Sequence, residues 1–133
     1  MAEPMNVEFV AADRLVWEGE AINVIVRTTE GDIGILANHE PLLASLVPCA
    51  AEVVTADGRR EILAVDGGFV SVAQNRVSVI AQHITLGEEV SAAEAQRELD
   101  KLQTIIDEGD ASDAEMRRFH LATAQVKAAA KKS

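Results

Sequence analysis

The hydrophobic period changes near residue 90, and this change constrains the fold more than any other feature of the chain. Up to about Ile84, apolar residues recur in short runs rich in Val and Ile that are bounded by turn residues, as in β-strands. After Glu89 they recur at spacings of three and four, as on one face of a helix. A chain of 133 residues suffices for one compact domain with a small appendage, but not for two full cores. We therefore predict a two-segment α+β fold, with strands in residues 1–89 and helices in residues 90–133.

The first segment is predicted to form an antiparallel β-sandwich or flattened barrel. Turn residues that tolerate positive φ, such as Asp57-Gly58, Asp66-Gly67-Gly68 and Gln74-Asn75, separate the apolar runs. Short strands joined by tight turns are typical of these two architectures. The predicted strands cover residues 7–11, 15–20, 22–28, 32–36, 51–56, 61–65, 69–73 and 77–81.

The second segment is predicted to form an antiparallel helical hairpin. Each helix begins with a capping box, SAAE at Ser91–Glu94 and SDAE at Ser112–Glu115, and Gly109-Asp110 separates the two. Few large apolar residues lie on the inner faces, so we expect the hairpin to need the sandwich or a partner for stability. The predicted apolar stripes are Ala95, Leu99, Leu102 and Ile106 in the first helix, and Met116, Phe119, Thr123, Val126 and Ala130 in the second.

The charge is strongly acidic and unevenly distributed. The chain has a formal net charge of −10, which argues against nucleic acid as a partner. Residues 1–90 carry 14 acids and 5 bases (−9), whereas residues 91–133 carry 8 acids and 7 bases (−1). No acid follows Glu115, so the basic residues of the second helix suggest an acidic partner. These residues are Arg117, Arg118, Lys127, Lys131 and Lys132.

Residues Glu30–Leu43, EGDIGILANHEPLL, raise the question of catalysis. An imidazole beside carboxylates can transfer protons near neutral pH, which would give His39 a role with Glu40 and Asp32. The alternative interpretation is a surface turn that joins two strands. No nucleophile elsewhere has a nearby base, so the sequence favours a protein without catalytic activity.

Other ligand sites and targeting signals have little support in the sequence. The three histidines lie far apart and Cys49 is the single cysteine, so no zinc-ligand spacing occurs, and we expect no metal or cofactor. Neither GxxxxGK[ST] nor GxGxxG is present. The N-terminal MAEPMNVEF lacks the pattern of a secretory signal, and no apolar run is long enough to cross a membrane. We expect a chain with no direct membrane insertion, and its lone thiol suits a reducing compartment.

Two motifs together with the domain order resemble the epsilon-subunit family of F-type ATP synthases. The family's Gly-acid-Leu/Ile-Gly-Ile run followed by His-x-Pro-Leu is matched by Gly31–Ile35 and His39–Leu43. Its Gly-Gly pair at the opening of a strand is matched by Gly67 and Gly68. The resemblance covers the whole chain.

The resemblance implies a noncatalytic rotor subunit of the central stalk in a proton-translocating enzyme. In this family the sandwich binds the gamma subunit and the c-ring, and the C-terminal helices inhibit ATP hydrolysis. Carried over by position, Glu30, Asp32 and His39 would contact the c-ring. Arg117, Arg118 and Lys127 would be the basic residues of the regulatory helix, which meets acidic segments of the alpha and beta subunits. The lack of a transit-peptide pattern favours a bacterial protein, or a plastid-encoded one, and we expect a peripheral location on the cytoplasmic face of the bacterial cell membrane.

Some relatives in that family bind ATP through an Ile/Leu-Asp-x-x-Arg-Ala run at the start of the first helix. Here the run reads Val90, Ser91, Ala92, Ala93, Glu94 and Ala95. An acid stands in place of the arginine and would repel a triphosphate, so we do not expect ATP as a ligand. The alternative function is a free-standing module that binds a small molecule or nucleotide in the cleft between sandwich and hairpin. An enzyme is the third choice.

Overall fold

The computed structural model describes residues 3–132, and it confirms a β-sandwich followed by two helices. The turn Gly87–Glu89 is a short 3₁₀ helix that joins the two parts. The strands are β1 (Met5–Ala11), β2 (Arg14–Thr28), β3 (Gly31–Leu36), β4 (Leu42–Ser45), β5 (Cys49–Thr55), β6 (Arg60–Val65), β7 (Phe69–Ala73), β8 (Arg76–Ile80) and β9 (Ile84–Leu86). The helices are α1 (Ala92–Asp107) and α2 (Asp113–Lys132).

One continuous hydrogen-bonded path, β4-β7-β8-β1-β2-β5-β6-β9, builds both layers of the sandwich, and β3 pairs with β2 beside it. The path folds over a shared core to which both halves contribute fully buried side chains, such as Phe9 and Val77 from one half and Val53 and Leu63 from the other. Between the strands of residues 3–132, all pairings are antiparallel except that of β1 with β8. These two strands lie far apart in sequence, so no tight turn fixes their relative direction.

The strand predictions differ from the structure at three places. The predicted strands 15–20 and 22–28 are one 15-residue strand, β2, with an irregularity between Ala21 and Asn23 in its pairing with β5. Strands β4 and β9 were not predicted. They have four and three residues, too few for an alternating pattern to stand out from a turn.

Gly67 and Gly68 connect β6 to β7 in a conformation that needs glycine. Gly68 has a φ of 88°, and a Cβ there would collide with the carbonyl oxygen of Ile80 at the end of β8. The Gly68 carbonyl accepts a hydrogen bond of 2.8 Å from the amide of Leu46. The glycine pair therefore lets three strand ends approach one another closely.

Capping interactions fix where both helices begin. The amide of Glu94 donates to the hydroxyl of Ser91 at 3.4 Å, before α1. Before α2 both halves of the capping box are formed: Glu115 N donates to Ser112 Oγ at 3.1 Å, and Ser112 N donates to Glu115 Oε1 at 3.0 Å. The bond from the Ser112 amide is the main cause of a lowered pKa of the Glu115 carboxyl.

The buried face of α2 differs from the predicted stripe. The predicted Ala130 is exposed, whereas Ala124 and Ala128 are completely buried and pack against Ile62 and Ala64 of β6. Small side chains let the helix lie close to the sheet, so the contact contains alanines and not the larger residues that we predicted. Alanine is also a strong helix former, and its role as core or surface is therefore hard to read from sequence.

Helix α1 packs mainly against α2. Its predicted stripe is confirmed, because Ala95 and Leu102 are buried and Leu99 and Ile106 are half-buried. Ala95 belongs to a small cluster with Val90 and Ala129, against which Val126 packs. The sandwich therefore holds α2, and α2 holds α1.

We predict that Ala128→Leu destabilises the docked hairpin, whereas Ala130→Leu does not. The first change overpacks a closed contact between α2 and β6, which costs about 1–3 kcal/mol. The second places the same side chain on an exposed position of the same helix. Urea unfolding followed by helical circular dichroism measures both. Equal losses of stability would show that the alanine contact does not anchor α2.

Candidate functional site

The turn between β2 and β3 presents the carboxylate of Glu30 to solvent. Thr28 braces this turn, because its hydroxyl donates to the Gly31 carbonyl at 2.9 Å and accepts from the Glu30 amide at 3.1 Å. Gly31 has a φ of 121°, which suits glycine. Asp32, the one acid of β3, is exposed and lies 3.8 Å from the Arg27 guanidinium. The braced turn and the start of β3 therefore place two acidic side chains at one end of the sandwich.

His39 does not lie near these two acids, which corrects the prediction of a single polar loop. The six-residue strand β3 runs through the middle of Glu30–Leu43, so the turn before it and the loop after it are about 20 Å apart. The loop after β3 sits beside the turn between β7 and β8, where the amide of Asn38 donates to the Asn75 side chain at 2.8 Å. Glu30 and Asp32 thus belong to one end of the sandwich and His39 to the other.

The surroundings of His39 do not form a catalytic pair. Its Nδ1 lies 2.8 Å from the backbone carbonyl oxygen of Glu40, so this nitrogen carries a proton and donates. Asp32 is at the opposite end of β3. The backbone amide of His39 donates to the Leu36 carbonyl at 3.1 Å. Both bonds of His39 thus stabilise the loop that follows β3.

A row of apolar side chains, three exposed and one half-buried, crosses the outer face of one layer, and we name it the apolar row. It consists of Leu15, Val10, Ile80 and Phe69, which are paired neighbours on β2, β1, β8 and β7. Leu15 is 51% exposed, Phe69 41% and Ile80 39%. Adjacent large apolar groups on the surface of an acidic protein indicate a contact with another protein. The row could not be predicted from sequence because its members come from four separate strands.

The basic residues of α2 lie in three different environments. Arg117 is exposed, and no ion pair involving it occurs within residues 3–132. Arg118 donates from Nε to Glu98 Oε1 of α1 at 3.0 Å, so this arginine has an acidic partner within the chain besides the external one that the sequence suggested. Lys127 Nζ donates to the Pro48 carbonyl at 3.3 Å. Two of the three proposed regulatory residues are thus held within the chain.

A cleft at the start of α1 occupies the place where ATP binding was considered. Its volume is about 300 Å³, and its charged lining residues are Glu89, Glu94 and Glu98, with Gln125 of α2 opposite. Among the residues that line it, none is basic. Glu98 is paired with Arg118, but the carboxylates of Glu89 and Glu94 make no ion pair within residues 3–132 and would repel a triphosphate.

The described part of the chain shows neither a metal site nor an accessible thiol. Residues 3–132 contain no group of three His, Cys, Asp or Glu side chains placed to hold a metal ion. Cys49 is buried, and burial raises the pKa of its thiol. Within these residues, neither helix is both long and apolar enough to cross a membrane.

Comparison with known proteins identifies the family. Residues 4–87 match the family described as ATP synthase, Delta/Epsilon chain, beta-sandwich domain. The chain is 48% identical, over 134 aligned positions, to the ATP synthase epsilon chain of Cutibacterium acnes, covering 95% of this chain and 92% of the relative. The chain belongs to the ATP synthase epsilon chain family. The epsilon chain of Streptomyces avermitilis is 46% identical over 84% of this chain and 88% of the relative.

Solved structures show the same fold at lower identity. A chain in the Euglena gracilis mitochondrial ATP synthase OSCP/F1/c-ring structure superposes with a TM-score of 0.77 at 19% identity, covering 99% of the present chain and 82% of that chain. A chain in the Tetrahymena thermophila mitochondrial ATP synthase central stalk/c-ring structure gives a TM-score of 0.54 at 17% identity, covering 68% and 72%. The family that the two motifs and the domain order indicated is confirmed, and so is the fold class predicted from the hydrophobic period.

Proposed function

We propose that this chain is a noncatalytic rotor subunit of a proton-translocating F-type ATP synthase. It couples c-ring rotation to ATP synthesis and regulates ATP hydrolysis through its hairpin. Membership of the epsilon chain family supports the assignment. The observation that carries it is the apolar row, because a rotor subunit needs a docking face on the stalk. In this role the protein is peripheral on the cytoplasmic face of the bacterial membrane.

The end of the sandwich with Glu30 and Asp32 is the proposed c-ring contact. Both carboxylates are exposed, Glu30 on the turn that Thr28 braces and Asp32 at the start of β3, so the surface can transmit torque without rearrangement. His39 follows the far end of β3, so we do not include it in the proposed contact.

We predict that the Glu30→Ala, Asp32→Ala double variant lowers ATP-driven proton pumping severalfold while hydrolysis continues. Exposed charged contacts contribute about 0.2–1 kcal/mol each, so two changes are combined. Pumping and hydrolysis are measured together in membrane vesicles. His39→Ala is the control and should pump as the parent does. A larger defect in the control would place the c-ring contact at the other end of the sandwich.

The apolar row is the proposed docking face for the gamma subunit. The row is continuous across four strands and lies opposite the sandwich core, so a partner can cover it without disturbing the fold. Burial of such side chains stabilises a complex by roughly 25 cal/mol per Å² of apolar surface, before the costs of association.

We predict that Ile80→Asp weakens binding to gamma at least tenfold, because it places a charge in the middle of the apolar row. The matched control is Ile22→Asp, since Ile22 is 46% exposed but lies outside the row. Calorimetry with purified gamma measures the affinity of each folded variant for comparison with the parent. If both variants bind as the parent does, gamma docks elsewhere.

The hairpin is the proposed regulatory element, and Arg117 is an exposed cation of α2 that makes no ion pair within residues 3–132. Arg118 is committed to Glu98 within the hairpin, so it holds α1 and α2 together. Arg117 is exposed and available to acidic segments of the alpha and beta subunits. We also propose that residues 1–89 form a domain that binds gamma without the hairpin, because the main core lies between Met5 and Ile84.

We predict that Arg117→Ala raises ATP hydrolysis by the assembled enzyme and leaves synthesis largely intact. Higher salt should reduce the difference from the parent, because exposed charges are screened within about 10 Å at 0.1 M. In the same assay, an enzyme assembled with the fragment 1–89 gives the hydrolysis rate without any inhibition by the hairpin. Hydrolysis at the parental rate in both Arg117→Ala and the fragment would remove the hairpin from regulation.

A further inference from the structure

A groove between the sandwich and the last turns of α2 collects basic side chains. Its volume is about 390 Å³. Arg27 of β2 and Lys127 and Lys131 of α2 line it, together with the single acid Asp32. Three cations and one acid give a local formal charge of +2 on a chain whose net charge is −10. This groove is separate from the acidic cleft at the start of α1.

The cations in the groove have unused hydrogen-bond donors. Lys127 and Lys131 each donate once, to the carbonyls of Pro48 and Ala50 at 3.3 Å. An ammonium group has three donors, so each lysine keeps two. Arg27 lies 3.8 Å from Asp32, which is too long for a hydrogen bond, and its guanidinium donors remain available.

The spacing of the two lysines suits a tetrahedral oxyanion. Lys127 and Lys131 are four residues apart and therefore lie on one face of α2. The carbonyls to which they donate are two residues apart along extended chain, which is roughly 7 Å. The two ammonium groups are thus held at a separation that one anion can bridge through two of its oxygens.

The floor of the groove carries no competing charge at neutral pH. Cys49 lies there, and burial raises the pKa of its thiol, so the thiol stays protonated. The usual attraction of lysines to a helix C-terminus accounts for Lys131 in the last turn. It does not account for Arg27, which is on the sheet and faces the same groove.

We propose that this groove binds a phosphate group through Arg27, Lys127 and Lys131. A phosphate dianion matches the local charge and offers enough acceptors for all three side chains. The inference concerns the isolated chain and does not depend on the rotor assignment, so each can fail without the other.

The test is a titration of the full-length chain with sodium phosphate at constant ionic strength, followed by amide chemical shifts. We expect saturable shifts confined to the amides around Arg27, Cys49–Ala50 and Lys127–Lys131. The Lys127→Ala, Lys131→Ala double variant should bind phosphate at least tenfold more weakly. The Lys127→Arg, Lys131→Arg double variant keeps both charges and should retain binding. Lys101→Ala removes an exposed lysine on α1 and should bind as the parent does.

A parallel titration with ATP separates the two sources of the phosphate group. Shifts of the same amides with tighter binding would identify a nucleotide tail, and shifts with phosphate alone would identify the inorganic ion. Shifts that never saturate, or that persist unchanged in a folded Lys127→Ala, Lys131→Ala variant, would overturn the proposal. Shifts confined to the cleft at Glu94 and Gln125 would overturn it equally.

Discussion

The 15-residue strand β2 is the constraint on which the rest of the molecule depends. Its first half pairs with β1, and its second half pairs with β3 on one edge and β5 on the other. The irregularity between Ala21 and Asn23 lies where the strand passes from one layer of the sandwich to the other. One strand therefore sets the orientation of both layers, and the core between them is closed by side chains that alternate along it, such as Val24 and Val26.

The same strand distributes the proposed functional surfaces. Leu15, near its beginning, ends the apolar row on the outer face of the first layer. Arg27, near its end, reaches the groove under α2, and Thr28 braces the turn that carries Glu30. A docking face for a stalk and a polar end for a ring are thus fixed relative to each other by continuous backbone. Torque transmission requires this kind of rigid connection, since a flexible joint would absorb rotation.

The sequence predicted those features that depend on local pattern and missed those that depend on pairing between distant segments. Alternation in residues 69–73 and 77–81, and the serines before α1 and α2, located their elements correctly. The strand within Glu30–Leu43 was also predicted, but the distance that it imposes on His39 was not used. The apolar row and the Arg118–Glu98 pair join residues far apart in the chain, and periodicity carries no information about such contacts.

The attachment of α2 combines a small apolar contact with a few polar bonds. Ala124 and Ala128 bury little more than a methyl group each, worth roughly 0.8 kcal/mol per buried carbon. Gln125 adds a hydrogen bond of 3.2 Å to Thr85, and the lysines add theirs to Pro48 and Ala50. Water can replace these polar bonds when the helix separates from the sheet. The separation also exposes little apolar surface beyond Ile62 and the alanines. A helix held in this way is stable when docked yet inexpensive to release, as the proposed regulatory role requires.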